Sequence, residues 1–272
     1  MWLIRKILVW TTVVLVIVAF LVWNHCVIQT EKFTVELANL PEAFSGYRIA
    51  VISDLHGREF LSGNRYLLSE VKKSKPDIIC ICGDLIDEDE ELSILPPLLQ
   101  GLCAIAPTYY VTGNHEWQLE NKTVFFETLE MCGVKRLRND FVRLYRGEAD
   151  LILAGVDDPC GPSDQKTPHQ LMQEISDGCV IMLDHRNDRL EMWSELGADL
   201  VLSGHCHGGV VRLPLIGGVF GTNRELFPDY DSGIYRQNGT TLFVSRGLGF
   251  TNVRLRLLNR PQLAILKLVN NS

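Results

Sequence analysis

The chain has no cluster of lysine and arginine; its 26 basic residues are scattered among 33 acidic ones, for a formal net charge of -7. Affinity for nucleic acid rests largely on clustered cations that displace counterions from phosphates, so a nucleic-acid partner is excluded. Internal repeats and low-complexity tracts are also missing from the 272 residues, which sets aside solenoids and long disordered segments. Eight cysteines are present, at 26, 80, 82, 103, 132, 160, 179 and 206, but without the look of a disulfide framework. Several fall inside apolar runs, where a thiol packs as a small hydrophobe. A single residue separates Cys80 from Cys82, which on spacing alone is not a metal or redox pair.

Charge of either sign is missing from Ile7 to Trp23 as well. This run of Val, Leu and Ile has about the length that crosses a bilayer core, and Trp2, Trp10 and Trp23 can sit near the interfaces. No small-x-small cleavage site follows it, so it reads as a retained membrane anchor rather than a cleaved signal peptide. Arg5 and Lys6 precede the run, while Glu31 and Lys32 cancel after it. The excess of positive charge places the N-terminus in the cytoplasm, making a single-pass protein of the cell membrane with the rest of the chain outside. Residues 1–29 are thus read as anchor and linker, and residues 30–272 as one domain. A hydrophobic content of 46% is ample for its core.

Short apolar runs bounded by turn residues alternate with segments of helical spacing. Thr30 to Leu40 reads as an edge strand, Tyr47 to Ser53 as a strand, and Asn64 to Lys73 as a helix with Leu67, Leu68 and Val71 on one face. A helix over Leu92 to Leu102 follows an acidic stretch, Glu88 to Glu91, read as its solvated N-terminus. Further helices are expected at Thr123 to Met131, Pro168 to Ile175 and Arg189 to Leu196. An antiparallel pair spans Phe141 to Tyr145 and Leu151 to Val156, and the tail returns to strands at Thr241 to Ser245 and Leu263 to Val269. This alternation predicts an α/β fold in which two sheets pack face to face with helices outside.

Five apolar strands end in groups that bind metals. Ile49 to Ser53 leads to Asp54-Leu55-His56, Asp77 to Cys82 to Gly83-Asp84, and Tyr109 to Thr112 to Gly113-Asn114-His115-Glu116. Val180 to Leu183 leads to Asp184-His185, and Leu200 to Ser203 to Gly204-His205-Cys206-His207. In extended chain, residues two apart share a side, so Asp54 and His56 can face one ion, and His205 and His207 likewise, with Leu55 and Cys206 turned away. Imidazole, carboxylate and an Asn amide without a necessary thiolate suit two divalent ions of Mn, Fe or Zn better than a structural zinc cage.

DLH, GDLID, GNHE, a later strand-end His and GHCHGG, in that order, resemble the calcineurin-like metallophosphoesterase family over roughly Gly46 to Leu268. The anchor, GVDDP at 155–159 and SRGLGF at 245–250 are most similar to its membrane-associated bacterial branch, that of the YkuE- and YaeI-like phosphoesterases. The resemblance implies a four-layer α/β/β/α sandwich. It also implies that Asp54, His56 and His207 bind one metal, that Asn114, His185 and His205 bind the other, and that Asp84 bridges both. Two such ions can hold a shared hydroxide for in-line attack on phosphorus, with His115 contacting the substrate as proton donor or oxyanion partner. The implied activity is hydrolysis of phosphoester or phosphoanhydride bonds in a phosphorylated small molecule or lipid-linked substrate, with UDP-2,3-diacylglucosamine one candidate. The alternatives are a broad phosphodiesterase or phosphatase of the cell envelope and a non-catalytic, metal-stabilised binding module. Asp87, Asp157 and Asp158 are either orienting groups behind the histidines or solvated loop acids. Arg58, Arg224 and Arg246 could grip a phosphate but are more ordinarily structural, and His25 and His169 stay unassigned. Cys206 stands where the family commonly has a hydroxyl residue, Val210 where it has Gln, and no Pro closely follows His185.

Overall fold

A computed structural model of the chain describes residues 1–221, 225–250 and 255–271. A long N-terminal helix, α1 (Trp2–Cys26), leads into β1 (Gln29–Leu37), β2 (Arg48–Ile52), α2 (Arg65–Ser74), β3 (Ile78–Cys82), α3 (Leu95–Cys103), β4 (Thr108–Val111), α4 (Lys122–Met131) and β5 (Lys135–Arg136). The second half runs β6 (Asp140–Arg146), β7 (Ala149–Gly155), α5 (Pro168–Glu174), β8 (Val180–Leu183), α6 (Leu190–Leu196) and β9 (Leu200–Ser203). It closes with a small hairpin of β10 (Arg212–Leu213) and β11 (Gly217–Gly218), then β12 (Gly233–Gln237), β13 (Thr240–Val244) and β14 (Gln262–Asn270).

The strands form two six-stranded sheets, in the orders β1-β14-β2-β3-β4-β5 and β12-β13-β9-β8-β7-β6. Three apolar layers hold them. Because successive side chains alternate across a strand, Ile49 and Val51 of β2 enter the layer between the sheets, where they join Ile181, Leu183, Leu200 and Phe243, while Ala50 and Ile52 face the helices. Leu67, Leu98 and Phe125 of α2, α3 and α4 cover the first sheet, and Leu171 and Trp193 of α5 and α6 cover the second. The four-layer α/β/β/α sandwich is therefore present. Burial on both faces explains why these strands read as continuous apolar runs.

The helices at 65–74, 122–131, 168–174 and 190–196 match the expected segments closely. The second helix is shorter than expected, since Asp89–Ile94 is a 3-10 turn and α3 begins at Leu95, with Pro in its first positions, where no intrahelical donor is needed. Within the acidic stretch, the Asp89 carboxylate accepts the backbone N–H and side-chain amide of Asn121, just before α4. β2, β3 and β4 run parallel, as do β7, β8, β9 and β13, and the loops at their carboxyl ends form one edge of the sandwich. That edge is where open parallel sheets bind ligands.

Candidate metal centre

The loops after β2, β3 and β4 are sewn together by backbone. Asp54 N–H donates to Gly83 O at 3.0 Å, His56 N–H to Asp84 O at 3.1 Å, and His115 N–H to Asp84 Oδ1 at 3.0 Å. Asp54 Oδ1 in turn accepts the His205 N–H at 2.9 Å, so the β9 loop from the second sheet is pinned to the first. Space here is minimal: a Cβ on Gly113 would stand 2.1 Å from Asp84 Oδ1, and Gly83 adopts φ +79° with a hypothetical Cβ 2.4 Å from Gly113 N.

The segments are not extended, as the sequence reading assumed. Asp54, His56, Asp84, His205 and His207 all have positive φ, between 48° and 67°. Left-handed conformations cost non-glycine residues of order 1–3 kcal/mol each and persist where surrounding bonds over-determine them. The expected outcome is reached by this different route: Asp54 and His56 face one group while Leu55 and Cys206 are buried behind it.

Among the described residues, three sets of ligand atoms each converge within 4.8 Å: Asp54, His56 and His207; His56, Asp84 and His115; and Asp84, His185 and His205. Asp84 Oδ2 lies 3.2 Å from His185 Nε2 and 3.9 Å from His56 Nε2. His207 Nε2 is 2.9 Å from His56 Nε2 and 3.6 Å from Asp54 Oδ1, and His205 Nδ1 is 3.2 Å from His185 Nε2. Among the described residues, buried polar atoms here without a hydrogen-bond partner include Asp54 Oδ2 and Asn114 Oδ1. Such orphans are costly in a protein interior unless a cation completes them. Burial pushes the His205 imidazole down to about 3 and that of His207 well below its usual range, so both are neutral, as a metal ligand must be. Burial disfavours charge on Asp84, but the His185, His56 and His115 imidazoles outweigh it and hold that carboxyl well below the usual carboxylate range. All eight residues singled out from the sequence lie at this edge, and the donor set of imidazole, carboxylate and amide fits two divalent cations.

The chain belongs to the calcineurin-like phosphoesterase family. Residues 47–209 match that domain, from β2 to the turn after the two β9-loop histidines. The chain is 28% identical over 249 residues to the uncharacterized metallophosphoesterase YkuE of Bacillus subtilis, an alignment covering 89% of this chain and 85% of that one. It is 29% identical over 248 residues to the phosphodiesterase YaeI of Escherichia coli, with 86% of each covered. It is also 28% identical to a transmembrane protein with a metallophosphoesterase domain from Danio rerio, over 84% of this chain but only 54% of that protein. The chain is a metal-dependent phosphoesterase with a dinuclear-metal family architecture, and α1 is long and apolar enough to cross a membrane.

The calcineurin-like phosphoesterase site also contains groups that sequence reasoning missed. Glu116, fully buried, accepts backbone N–H groups from Asp84 at 3.1 Å, Leu85 at 2.6 Å and Gly113 at 2.7 Å, and so staples the β3 loop to the β4 loop. Burial, with the Asp84 charge, pushes its carboxyl up to about 7. The Cys82 carbonyl accepts from His185 Nδ1 at 2.8 Å and so aims Nε2 at Asp84. Arg186 is clamped by both oxygens of Asp158, at 2.6 and 3.1 Å, and its Nη1 reaches 3.0 Å from His205 Nε2.

The acids left open by the sequence divide. Asp87 is the orienting group: its Oδ1 accepts His56 Nδ1 and lies 3.0 Å from His115 Nδ1. Asp157 binds Arg136 and Thr112, and Asp158 holds Arg186; both are buried, and neither meets a histidine. Arg58 and Arg246 are structural. The first stacks on Phe60 and Phe250 and donates to Leu248 O and His25 O; the second, buried, donates to Glu31 and Gln29. Arg224 lies outside the described residues. His169 is exposed, and His25 bonds Arg256 O.

Proposed function

We propose that this chain is a membrane-anchored hydrolase of phosphoester or phosphoanhydride bonds that would hold two cations, with Asp84 contributing to both. Asp54, His56 and His207 would hold one; Asn114, His185 and His205 the other. The observation that carries this reading is the Asp84 carboxylate shared by two convergent ligand groups, beside the orphaned oxygens of Asp54 and Asn114. When bound, such a pair supplies Lewis acidity toward the phosphoryl group and toward water.

The chain's own residues supply the proton and the grip. His115 has a side chain 25% exposed, whereas those of His56, His185 and His207 are 5% or less, so it is the imidazole open to an incoming substrate. Burial lowers its pKa, but the Asp87 bond and nearby carboxylates raise it to about 9 overall, so it is cationic at neutral pH and placed to give a proton to the leaving oxygen. Arg186, fixed by Asp158 through Nε and Nη2, keeps Nη1 as a donor beside the cluster. If His205 held a cation through Nδ1, its Nε2 would carry the ring proton and could not accept from Nη1, leaving that donor for a phosphoryl oxygen.

The site lies near the anchor. Arg58, two residues after His56, donates to the carbonyl of His25 at the end of α1, which supports a substrate whose phosphate is at a bilayer surface. Among such substrates the nucleotide-lipid pyrophosphates, UDP-2,3-diacylglucosamine included, fit the reading. The basic pair Arg5 and Lys6 supports an extracytoplasmic domain. Five of the eight free thiols (Cys80, Cys82, Cys132, Cys179, Cys206) are buried, which is compatible with an oxidising exterior. The test is the full chain in detergent, stripped and reloaded with Mn, Zn, Fe or Mg, given nucleotide-lipid pyrophosphates and simple mono- and diesters. Metal-dependent turnover with preference for the lipid-linked class is expected; no turnover on any of them would favour a binding module instead.

A further inference from the structure

The calcineurin-like domain exposes an apolar surface that its own core does not use. Beyond α1, twelve large hydrophobic side chains are exposed among the described residues, and eight of them fall between 213 and 258. Chance scatter of single surface hydrophobes needs no explanation, but this concentration does. The hairpin of β10 and β11 carries Leu213, Leu215 and Ile216, with Leu215 at its tip fully exposed, and Leu213 to Gly221 contains no charged residue. Phe220 and Phe227 follow, at 47% and 57% exposure; Phe220 bridges Leu226, and Phe227 N–H donates to Val219 O at 3.0 Å.

The same surface is continuous with the end of α1. Val211 bridges Leu257, Arg212 N–H donates to Leu257 O at 3.0 Å, and Leu257 N–H donates to Val210 O at 3.1 Å, so the hairpin's base is stitched to segment 255–258. Leu255 and Leu258 in that segment are also exposed. Between them, the carbonyl of Arg256 accepts from the Asn24 amide and lies 2.9 Å from His25 Nε2, both in the last turn of α1. Close by, Arg260 covers the Trp23 ring and donates to Val27 O and Ile28 O. Trp23 at the end of an apolar span marks the headgroup level, and a basic side chain over it suits lipid phosphates. The metal cluster is one step further: Asn259 donates to His207 O at 2.8 Å, and Gly249 N–H donates to Asp54 O at 2.6 Å.

We propose that the β10–β11 hairpin and its apolar neighbours insert into the same bilayer leaflet that α1 enters, as a second membrane contact that holds the metal cluster at headgroup level. The inference rests on the reading of α1 as a membrane span, and the occupant argued for is lipid rather than a partner protein. Apolar area that gains only a few side chains of depth sits roughly 5–10 Å into the headgroup and acyl boundary. With α1 as one point of attachment and the hairpin as another, the domain's orientation on the bilayer is fixed, and a phosphate carried by a lipid meets the cluster without leaving the membrane.

The test places a nitroxide at Leu215→Cys in the full chain, with the exposed Cys26 and Cys160 changed to Ser, in phosphatidylethanolamine/phosphatidylglycerol vesicles. A second chain carries the label at Val14→Cys within α1. Greater accessibility to oxygen than to a water-soluble nickel complex at both positions is the expected result. A buried label at 14 with an aqueous one at 215 overturns the proposal while leaving the anchor intact, and is also what a protein-docking surface would give. Aqueous labels at both positions remove the anchor and the proposal together. Independently, Leu215→Glu with Ile216→Glu should keep turnover of a water-soluble diester but lose turnover of a lipid-linked ester in the same vesicles. Equal loss on both, or loss on neither, overturns the proposal; inactivity of the unmodified chain on every ester would sink the enzymatic reading, and the label depths would still decide this one.

Discussion

Asp87 Oδ1 lies 3.0 Å from His115 Nδ1, and the same oxygen accepts from His56 Nδ1. One carboxylate thus aims two imidazoles, one into the cluster and one at its mouth, and the bond to Nδ1 fixes the orientation of each ring. Burial works against charge on Asp87, but the hydrogen bonds from His115 and His56 outweigh it and hold its carboxyl well below the usual range.

This coupling sets the pH behaviour. Burial lowers the His115 pKa, yet the Asp87 bond and the surrounding carboxylates lift it to about 9. A raised histidine pKa means that the cation is present below the folded-state value and lost as pH climbs through it, so donation from His115 belongs to the acid side of the profile. Asp87→Asn removes the anion that keeps the proton there. The alkaline limb of kcat should move to lower pH, by about one unit for each 1.4 kcal/mol of lost interaction. An unmoved limb would show that His115 is not the proton donor.

Glu116→Gln tests a positioning role. A glutamine carbonyl cannot take the place of two carboxylate oxygens serving three backbone N–H groups, and its NH2 would face donors. A buried donor left without a partner costs about 1–3 kcal/mol. Metal affinity should fall along with stability, because the left-handed turn at Asp84 loses the bonds that impose it, while KM for a simple diester in excess metal changes little. Asp at this position should not rescue, being too short for all three donors. Unchanged metal affinity would assign Glu116 to folding alone.

The sequence carried the strands and the candidate ligands that gather at their ends, but not what braces them. Ile49 to Ser53 or Asp77 to Cys82 could be read as buried strands because both faces of each are apolar, and the ligands announce themselves by following directly. Glu116 could not be assigned, since its partners are backbone N–H groups of Asp84 and Leu85, and no side-chain spacing records them. The expectation of extended chain at Asp54 and at His205 failed for a related reason: positive φ at five non-glycine residues is imposed by tertiary bonds, against local preference. β12 escaped notice because Gly233–Gln237 is half-buried at a sheet edge and lacks a clean alternation. Arg186 was passed over because its role depends on Asp158, 28 residues away.

The boundary between anchor and domain offers a third test. The sequence sets the domain boundary at residue 30, but the last turn of α1 packs on the domain: Asn24 is buried, and His25, Val27 and Ile28 carbonyls are taken by Arg58 and Arg260. Each hydrogen bond contributes about 1 kcal/mol net. A fragment beginning at Trp23 should therefore melt several degrees above one beginning at Thr30 and hydrolyse a soluble diester faster. Equal melting temperatures would show that the last turn of α1 contributes nothing to the domain.

The final test separates the groups that hold metal from the group that faces substrate. Asp84→Ala should remove both ions and essentially all activity, since its Oδ2 stands between His185 Nε2 at 3.2 Å and His56 Nε2 at 3.9 Å, one from each proposed ligand group. His207→Ala should weaken metal binding, because His207 stacks on His56 and points Nε2 between it and Asp54. His115→Ala should leave both ions in place. Its ring stands edge-on to His56, held by Asp87 at the open side of the cluster, and the backbone N–H that fixes Asp84 survives the substitution. Loss of a positioned proton donor typically slows turnover by about 100- to 10,000-fold. A leaving group such as p-nitrophenolate needs little protonation, so the loss should shrink as the leaving group improves. Equal losses across leaving groups would make His115 an electrostatic partner of the phosphoryl oxygens, and departure of an ion from His115→Ala would make it a ligand.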